Sequence, residues 1–128
     1  MKHHVLILDD EADVRAAIKL QLKDTHFDIL EAENFEHAMN FLRENAITVD
    51  VIICDVRMPG VDGVEAVANF QREYPHTPVI VLTGFPDVDL AVDFMKQQDV
   101  TDYLTKPVDK EKLIAAVEKA AQDRRMFG

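Results

Sequence analysis

Five polar residues in this chain have the types and the placing to do chemistry together: Asp9, Asp10, Asp55, Thr83 and Lys106. Each ends or closely follows a short apolar run. Asp9 and Asp10 come after Val5-Leu6-Ile7-Leu8, Asp55 after Val51-Ile52-Ile53-Cys54, Thr83 after Val79-Ile80-Val81-Leu82, and Lys106 after Asp102-Tyr103-Leu104-Thr105. Three carboxylates brought together repel one another unless a cation joins them. Hard oxygen ligands with some waters retained suit Mg²⁺, or Mn²⁺, which takes one or two carboxylates plus phosphate oxygens. A lysine adds a second positive point charge and a threonine adds a hydroxyl donor. That set suits phosphoryl transfer, where positioning and charge neutralisation supply most of the catalysis. Asp55 is then the nucleophile, and the product is an aspartyl phosphate.

Such convergence needs elements that bring strand ends to one edge. Four-residue apolar runs bounded by turn signals read as strands buried on both faces. Phe27-Asp28-Ile29-Leu30-Glu31-Ala32 alternates only partly and reads as a strand near a sheet edge. Between the strands the apolar period becomes helical: Val14, Ala17, Ile18 and Leu22; then Phe35, Ala38, Met39, Leu42 and Ala46 behind an Asn34 N-cap. Val64, Val67, Ala68 and Phe70 follow a loop through Pro59, Gly60 and Gly63. Val88, Ala91, Val92 and Met95 follow an Asp87 cap, and Leu113, Ala116, Val117 and Ala120 follow a start near Asp109. Strands alternating with helices of this length predict βαβ units, and so a single doubly wound α/β domain with a parallel sheet. Open sheets of that kind bind ligands at the carboxyl ends of their strands.

The totals agree and exclude alternatives. A chain of 128 residues with 48% hydrophobic content can bury a real core. A formal net charge of -10 argues against direct nucleic acid binding by this domain, since gripping a phosphate backbone needs clustered Lys and Arg. No apolar run nears the roughly 18 residues of a membrane span, and no secretory signal precedes the first strand, so no membrane partner and a cytoplasmic location are expected. The single cysteine, Cys54, sits inside an apolar run and reads as a small buried hydrophobe.

The set Leu8-Asp9-Asp10-Glu11, Asp55-Val56-Arg57-Met58-Pro59-Gly60 with Gly63, Leu82-Thr83-Gly84 and Tyr103-Leu104-Thr105-Lys106-Pro107 resembles the receiver domain of two-component response regulators. The likeness runs from Val5 to about Arg124. It implies a flavodoxin-like (β/α)5 fold with five parallel strands in the order 2-1-3-4-5 and helices on both faces. It implies that Asp55 is the phosphoacceptor, served by a sensor histidine kinase or phosphotransfer protein. Asp10, Asp55 and the backbone carbonyl of Arg57 would ligate Mg²⁺, with Asp9 acting through water. Lys106 would contact the phosphoryl oxygens, and the Lys106-Pro107 peptide would be cis. Thr83 and Tyr103 resemble the switch pair, the hydroxyl turning to the phosphoryl group and the ring moving inward behind it. The wording around Asp55 is most similar to receivers of nitrogen-regulation and nitrogen-fixation transcriptional regulators. Two departures stand out: Gln97-Gln98-Asp99-Val100-Thr101 replaces the usual Ala-Gly-Ala, and Phe85-Pro86 follows Thr83-Gly84.

Leu90 and Phe94 form a second apolar pair on the fourth helix. With Tyr103 they define an expected output surface over the fourth helix, fifth strand and fifth helix, which would serve an output partner or a homodimer. Residues 1–128 form the receiver, and any effector domain lies beyond residue 128. A stand-alone phosphorelay receiver is the alternative. Two other classes fit less well. A phosphatase of the haloacid-dehalogenase class needs an Asp-x-Asp pattern after the first strand, where this chain has Glu11 two positions after Asp9. A flavodoxin-like electron carrier needs a phosphate-cradling loop where Asp9-Asp10-Glu11 would repel a phosphate. Neither accounts for Thr83 and Lys106, and the expectation is a signalling domain, not an enzyme.

Overall fold

The computed structural model describes residues 3–58, 60, 62–84, 93 and 100–125, with the side chains of 124 and 125 excepted. The five strands are β1 (His3–Leu8), β2 (Phe27–Ala32), β3 (Val51–Asp55), β4 (Val79–Thr83) and β5 (Asp102–Thr105). They pair in parallel in the order β2-β1-β3-β4-β5. Helices α1 (Ala12–Gln21), α2 (Phe35–Asn45) and α3 (Gly63–Glu73) and a C-terminal helix (Lys110–Arg125) complete the described elements, with one 3₁₀ turn at Ala46–Thr48. Apart from Asp93, the helix expected around Val88–Met95 lies outside the described residues, with its Asp87 cap, Leu90 and Phe94, as do Phe85-Pro86 and Gln97-Gln98-Asp99.

Side chains alternate along each strand, and the core divides accordingly. On β1, Leu6 and Leu8 join Ala38 and Leu42 of α2 and Val67 and Phe70 of α3. Val5 and Ile7 point the other way, to Ile18 of α1 and to Leu113 and Val117 of the C-terminal helix. Both faces of β1, β3 and β4 are therefore covered, which is why their sequences read as unbroken apolar runs. β2 takes the edge, as its mixed pattern predicts.

Local signals set the helix starts. Asn34 Oδ1 accepts from the His37 amide at 2.7 Å and Asp109 Oδ2 from the Lys112 amide at 3.0 Å. Asp62 Oδ1 accepts from the Val64 and Glu65 amides at 3.0 and 3.3 Å, so α3 begins at Gly63 itself. A Cβ at Gly63 would stand 2.3 Å from the Val56 carbonyl oxygen, so only glycine lets the helix start this close to the segment after β3.

Three expectations need correction. Ala17 is exposed, because α1 turns only Val14, Ile18 and Leu22 toward the sheet. Val64 is exposed and Ala66 is buried in its place, because the approach at Gly63 rotates the first turn of α3 outward. β1 starts at His3, two residues before its apolar run, held by pairing of His3 with Phe27 and by donation from the His4 amide to Asp50 Oδ2 at 2.8 Å.

Candidate functional site

The site is assembled by register. β1 and β3 pair Leu8 with Cys54, so Asp9 and Asp55 leave the sheet at the same level. β3 and β4 pair Asp55 with Leu82, and β4 and β5 pair Thr83 with Thr105, which sets Thr83 one residue and Lys106 two residues beyond the level of Asp55. Alternation then sorts the side chains. Asp9 continues the face of Val5 and Ile7, Asp55 that of Val51 and Ile53, and Lys106 that of Leu104. Thr83 continues the opposite face, with Val79 and Val81, and Tyr103, paired with Val81, packs on that face too.

Lys106 Nζ lies 2.9 Å from Asp9 Oδ2, 3.2 Å from Asp55 Oδ2 and 3.3 Å from Glu11 Oε1. The lysine side chain is 16% exposed, and Asp9 and Asp55 are 0% and 1% exposed. Burial alone favours neutral Lys106, but its contact with Asp9 and the charge of Asp55 outweigh that, and the ammonium is held above the ordinary lysine value. Burial pushes the Asp9 carboxyl up, against the Glu11 amide and Lys106, which pull it down. The ammonium only partly compensates.

The backbone fixes the remaining oxygens. Asp55 Oδ1 accepts from the Arg57 amide at 2.8 Å and Asp9 Oδ1 from the Glu11 amide at 2.8 Å. The Lys106–Pro107 peptide is cis, and the Lys106 amide donates to the Thr83 carbonyl at 2.8 Å. Gly60 turns the loop after Asp55 with φ +73°, in the left-handed region that favours glycine. Gly84 makes no such demand, since among the described residues a Cβ there would meet only the Lys106 Cδ at 3.9 Å.

The residues present fit a divalent cation. Carboxylate oxygens of Asp9, Asp10, Glu11 and Asp55 lie within 4.8 Å of one another. Asp9 Oδ2 is buried and has its ion pair with Lys106 but no aligned hydrogen-bond donor among the described residues. Four acidic groups around one ammonium leave a deficit of positive charge, and an all-oxygen donor set suits a hard ion.

The structure thus brings together Asp9, Asp10, Asp55 and Lys106, places Arg57 through its amide on Asp55, and sets Thr83 and Tyr103 on a common face. Three residues of the site went unassigned from sequence. Glu11 had a legible signal, the Asp-Asp-Glu run itself. Arg15 donates through Nη1 to the Asp9 carbonyl at 2.6 Å and through Nε to Glu31 Oε1 at 3.0 Å. Glu31 reaches the site only through the pairing of β1 with β2, which no local pattern announces.

A doubly wound parallel sheet whose carboxyl edge carries buried aspartates closed by a lysine defines an α/β domain with an acidic, cation-ready site. The sequence matches the response regulator receiver domain over residues 5–118, and the chain belongs to that family. It is 35% identical over 120 residues to the DNA-binding transcriptional regulator NtrC of Proteus hauseri, covering 93% of this chain and 24% of NtrC. It is 33% identical over 120 residues to the transcriptional regulatory protein FixJ of Bradyrhizobium diazoefficiens, covering 93% of this chain and 57% of FixJ. The chain therefore spans only part of the relatives it matches. A response regulator receiver domain from Clostridium thermocellum superposes with a TM-score of 0.89 at 30% identity, covering 98% of this chain and 99% of that one. The chain is a phosphoacceptor signalling domain of the two-component type. No helix among the described residues is long and apolar enough to cross a membrane.

Proposed function

We propose that Asp55 receives the phosphoryl group from a phosphohistidine of a sensor kinase or phosphotransfer protein, and that Asp10, Asp55 and the Arg57 carbonyl hold Mg²⁺ or Mn²⁺, with Asp9 acting through water. The contact of Lys106 Nζ with both Asp55 and Asp9, at 3.2 and 2.9 Å, carries this reading. It sets two buried carboxylates, Asp55 and Asp9, against a positive charge at the open edge of the sheet, and the likeness of Asp55-Val56-Arg57-Met58-Pro59-Gly60 to the family's phosphoacceptor motif favours Asp55 of the two. In the transfer, an Asp55 oxygen bonds to phosphorus as the phosphorus–nitrogen bond breaks. The bonding pair stays on the histidine nitrogen, which leaves as neutral imidazole when its other nitrogen carries a proton. Lys106 turns its ammonium from the free carboxylate to the new phosphoryl oxygens. The Arg57 amide keeps the Asp55 carboxylate aimed during the attack. The cation, when bound, neutralises charge on the transferred oxygens.

Thr83 and Tyr103 form the switch in this reading. Contacts that only the phosphorylated state can make bias a pre-existing equilibrium, and the change is read at a surface that includes Leu90, Phe94 and Tyr103. That surface serves an output partner, an output domain or a second copy of the chain. The likeness to the transcriptional regulators NtrC and FixJ favours a transcriptional output located beyond residue 128 in a cytoplasmic regulator, and the net charge of -10 speaks against the receiver itself touching nucleic acid.

Intact mass after treatment with acetyl phosphate tests the transfer. One added phosphoryl group is expected with Mg²⁺ and none with excess chelator. Lys106→Ala should slow its appearance about a hundredfold, the usual cost of losing one charge-stabilising donor. Labelling that ignores both chelator and Lys106 contradicts the proposal.

A further inference from the structure

Among the described residues Arg15 forms its polar contacts with the Asp9 carbonyl and Glu31, and its side chain fixes the peptide between Asp9 and Asp10. Its guanidinium bridges the Asp9 carbonyl at 2.6 Å and Glu31 Oε1 at 3.0 Å, and Lys19 Nζ stands 3.7 Å from Glu31 Oε2. Asp9 is otherwise held through its amide, which donates to the Ala32 carbonyl at 3.2 Å, and through Oδ1, which accepts from the Glu11 amide. Because a peptide is planar, fixing the Asp9 carbonyl also fixes the nitrogen and Cα of Asp10. Asp10 is exposed, so it has no packing of its own to aim its carboxylate. As a partly exposed ion pair, Arg15–Glu31 contributes little stability. Its consequence is geometric.

We infer that Arg15, braced by Glu31, is a positioning residue for cation binding: the clamp holds the Asp9–Asp10 peptide so that the Asp10 carboxylate is preorganised toward the acidic cluster. The inference rests on the proposed role of Asp10 as a cation ligand. It also makes a prediction of unexpected sign. Simple electrostatics says that removing a positive charge beside four carboxylates tightens cation binding. Loss of an orienting partner says the reverse, typically by tenfold or more.

Titration of Mg²⁺ into the wild-type chain, Arg15→Gln, Glu31→Gln and Asp10→Asn, followed by amide chemical shifts, separates the two. The dissociation constant should rise about tenfold in Arg15→Gln. A smaller rise is expected in Glu31→Gln, where Arg15 loses its brace and the cluster also loses a nearby negative charge, so the sign of the Arg15→Gln effect is what separates the two accounts. Acetyl phosphate labelling of Arg15→Gln should recover as Mg²⁺ approaches saturation, which a generally damaged fold would not allow. Unchanged or tighter Mg²⁺ binding in Arg15→Gln, with the wild type binding and Asp10→Asn not, overturns the positioning role alone. A wild-type chain that binds no Mg²⁺ overturns the cation reading beneath it. If Arg15→Gln fails to fold, Arg15→Lys decides. It keeps the positive charge but not the fork that reaches both the Asp9 carbonyl and Glu31, so a raised dissociation constant supports the clamp and an unchanged one overturns it.

Discussion

At the scale of single residues, the site is a compromise between folding and function. Asp9 is buried, and its carboxyl is pushed up by burial more than the Glu11 amide and Lys106 pull it down. An acid whose folded value exceeds its unfolded one favours the fold while protonated. That contribution is complete below the ordinary value of 3.8 and is lost as pH rises through the folded value. Without metal, Asp9→Asn should therefore stabilise the chain by about 1 kcal/mol at neutral pH, a usual gain when a strained functional group is removed. The advantage should vanish below pH 3.8. Urea unfolding of both proteins across that range checks it. Cys54 is the contrasting case. It is fully buried beside Asp55, and burial, then the charges of Asp55 and Asp9, push its thiol up. A thiol reagent at neutral pH should label it only at the rate of global unfolding, and rapid labelling of the native protein would contradict its placement.

At the scale of elements, the apolar runs announced β1, β3 and β4 because both faces of those strands are covered, and the helical stripes announced every described helix. What periodicity cannot see is a close approach. Gly63 read as a loop residue, yet it is the first residue of α3, pressed against the Val56 carbonyl, and this rotation exposes Val64 and buries Ala66. The three glycines near the site consequently predict a graded series. Gly63→Ala should cost about 2 kcal/mol or more, since backbone must move to admit the methyl group. Gly60→Ala should cost about 1–2 kcal/mol for its left-handed backbone, with no clash. Gly84→Ala should be nearly neutral, as among the described residues its Cβ finds only ordinary contact with Lys106. Equal costs in all three, measured by chemical denaturation, would contradict this reading of the β3–α3 junction. The Arg15–Glu31 clamp was illegible for a related reason: the partners are 16 residues apart and meet only once β1 and β2 pair.

At the scale of the whole molecule, one sheet edge gathers a buried aspartate, its counter-charge and a cation-ready cradle from three strands, while the opposite face of that edge holds Thr83 and Tyr103. Asp9, Asp10, Asp55 and Lys106 were legible together because strand ends in a doubly wound sheet share an edge, so each apolar run carried its terminal residue to a known place. In the proposed reading, this division between faces lets chemistry on one side bias contacts on the other. Binding of Mg²⁺ should accordingly raise the thermal midpoint of the wild-type chain and not that of Asp10→Asn, because a ligand stabilises only the state that binds it. The central claim is that Asp55, and not the neighbouring carboxylates, is the atom address of the signal. Peptide mapping of the chain labelled with acetyl phosphate and Mg²⁺ tests it most directly. The account predicts a single phosphoryl group on the peptide containing Asp55, absent in Asp55→Asn; a label on Asp9 or Asp10, or one that persists in Asp55→Asn, would contradict it.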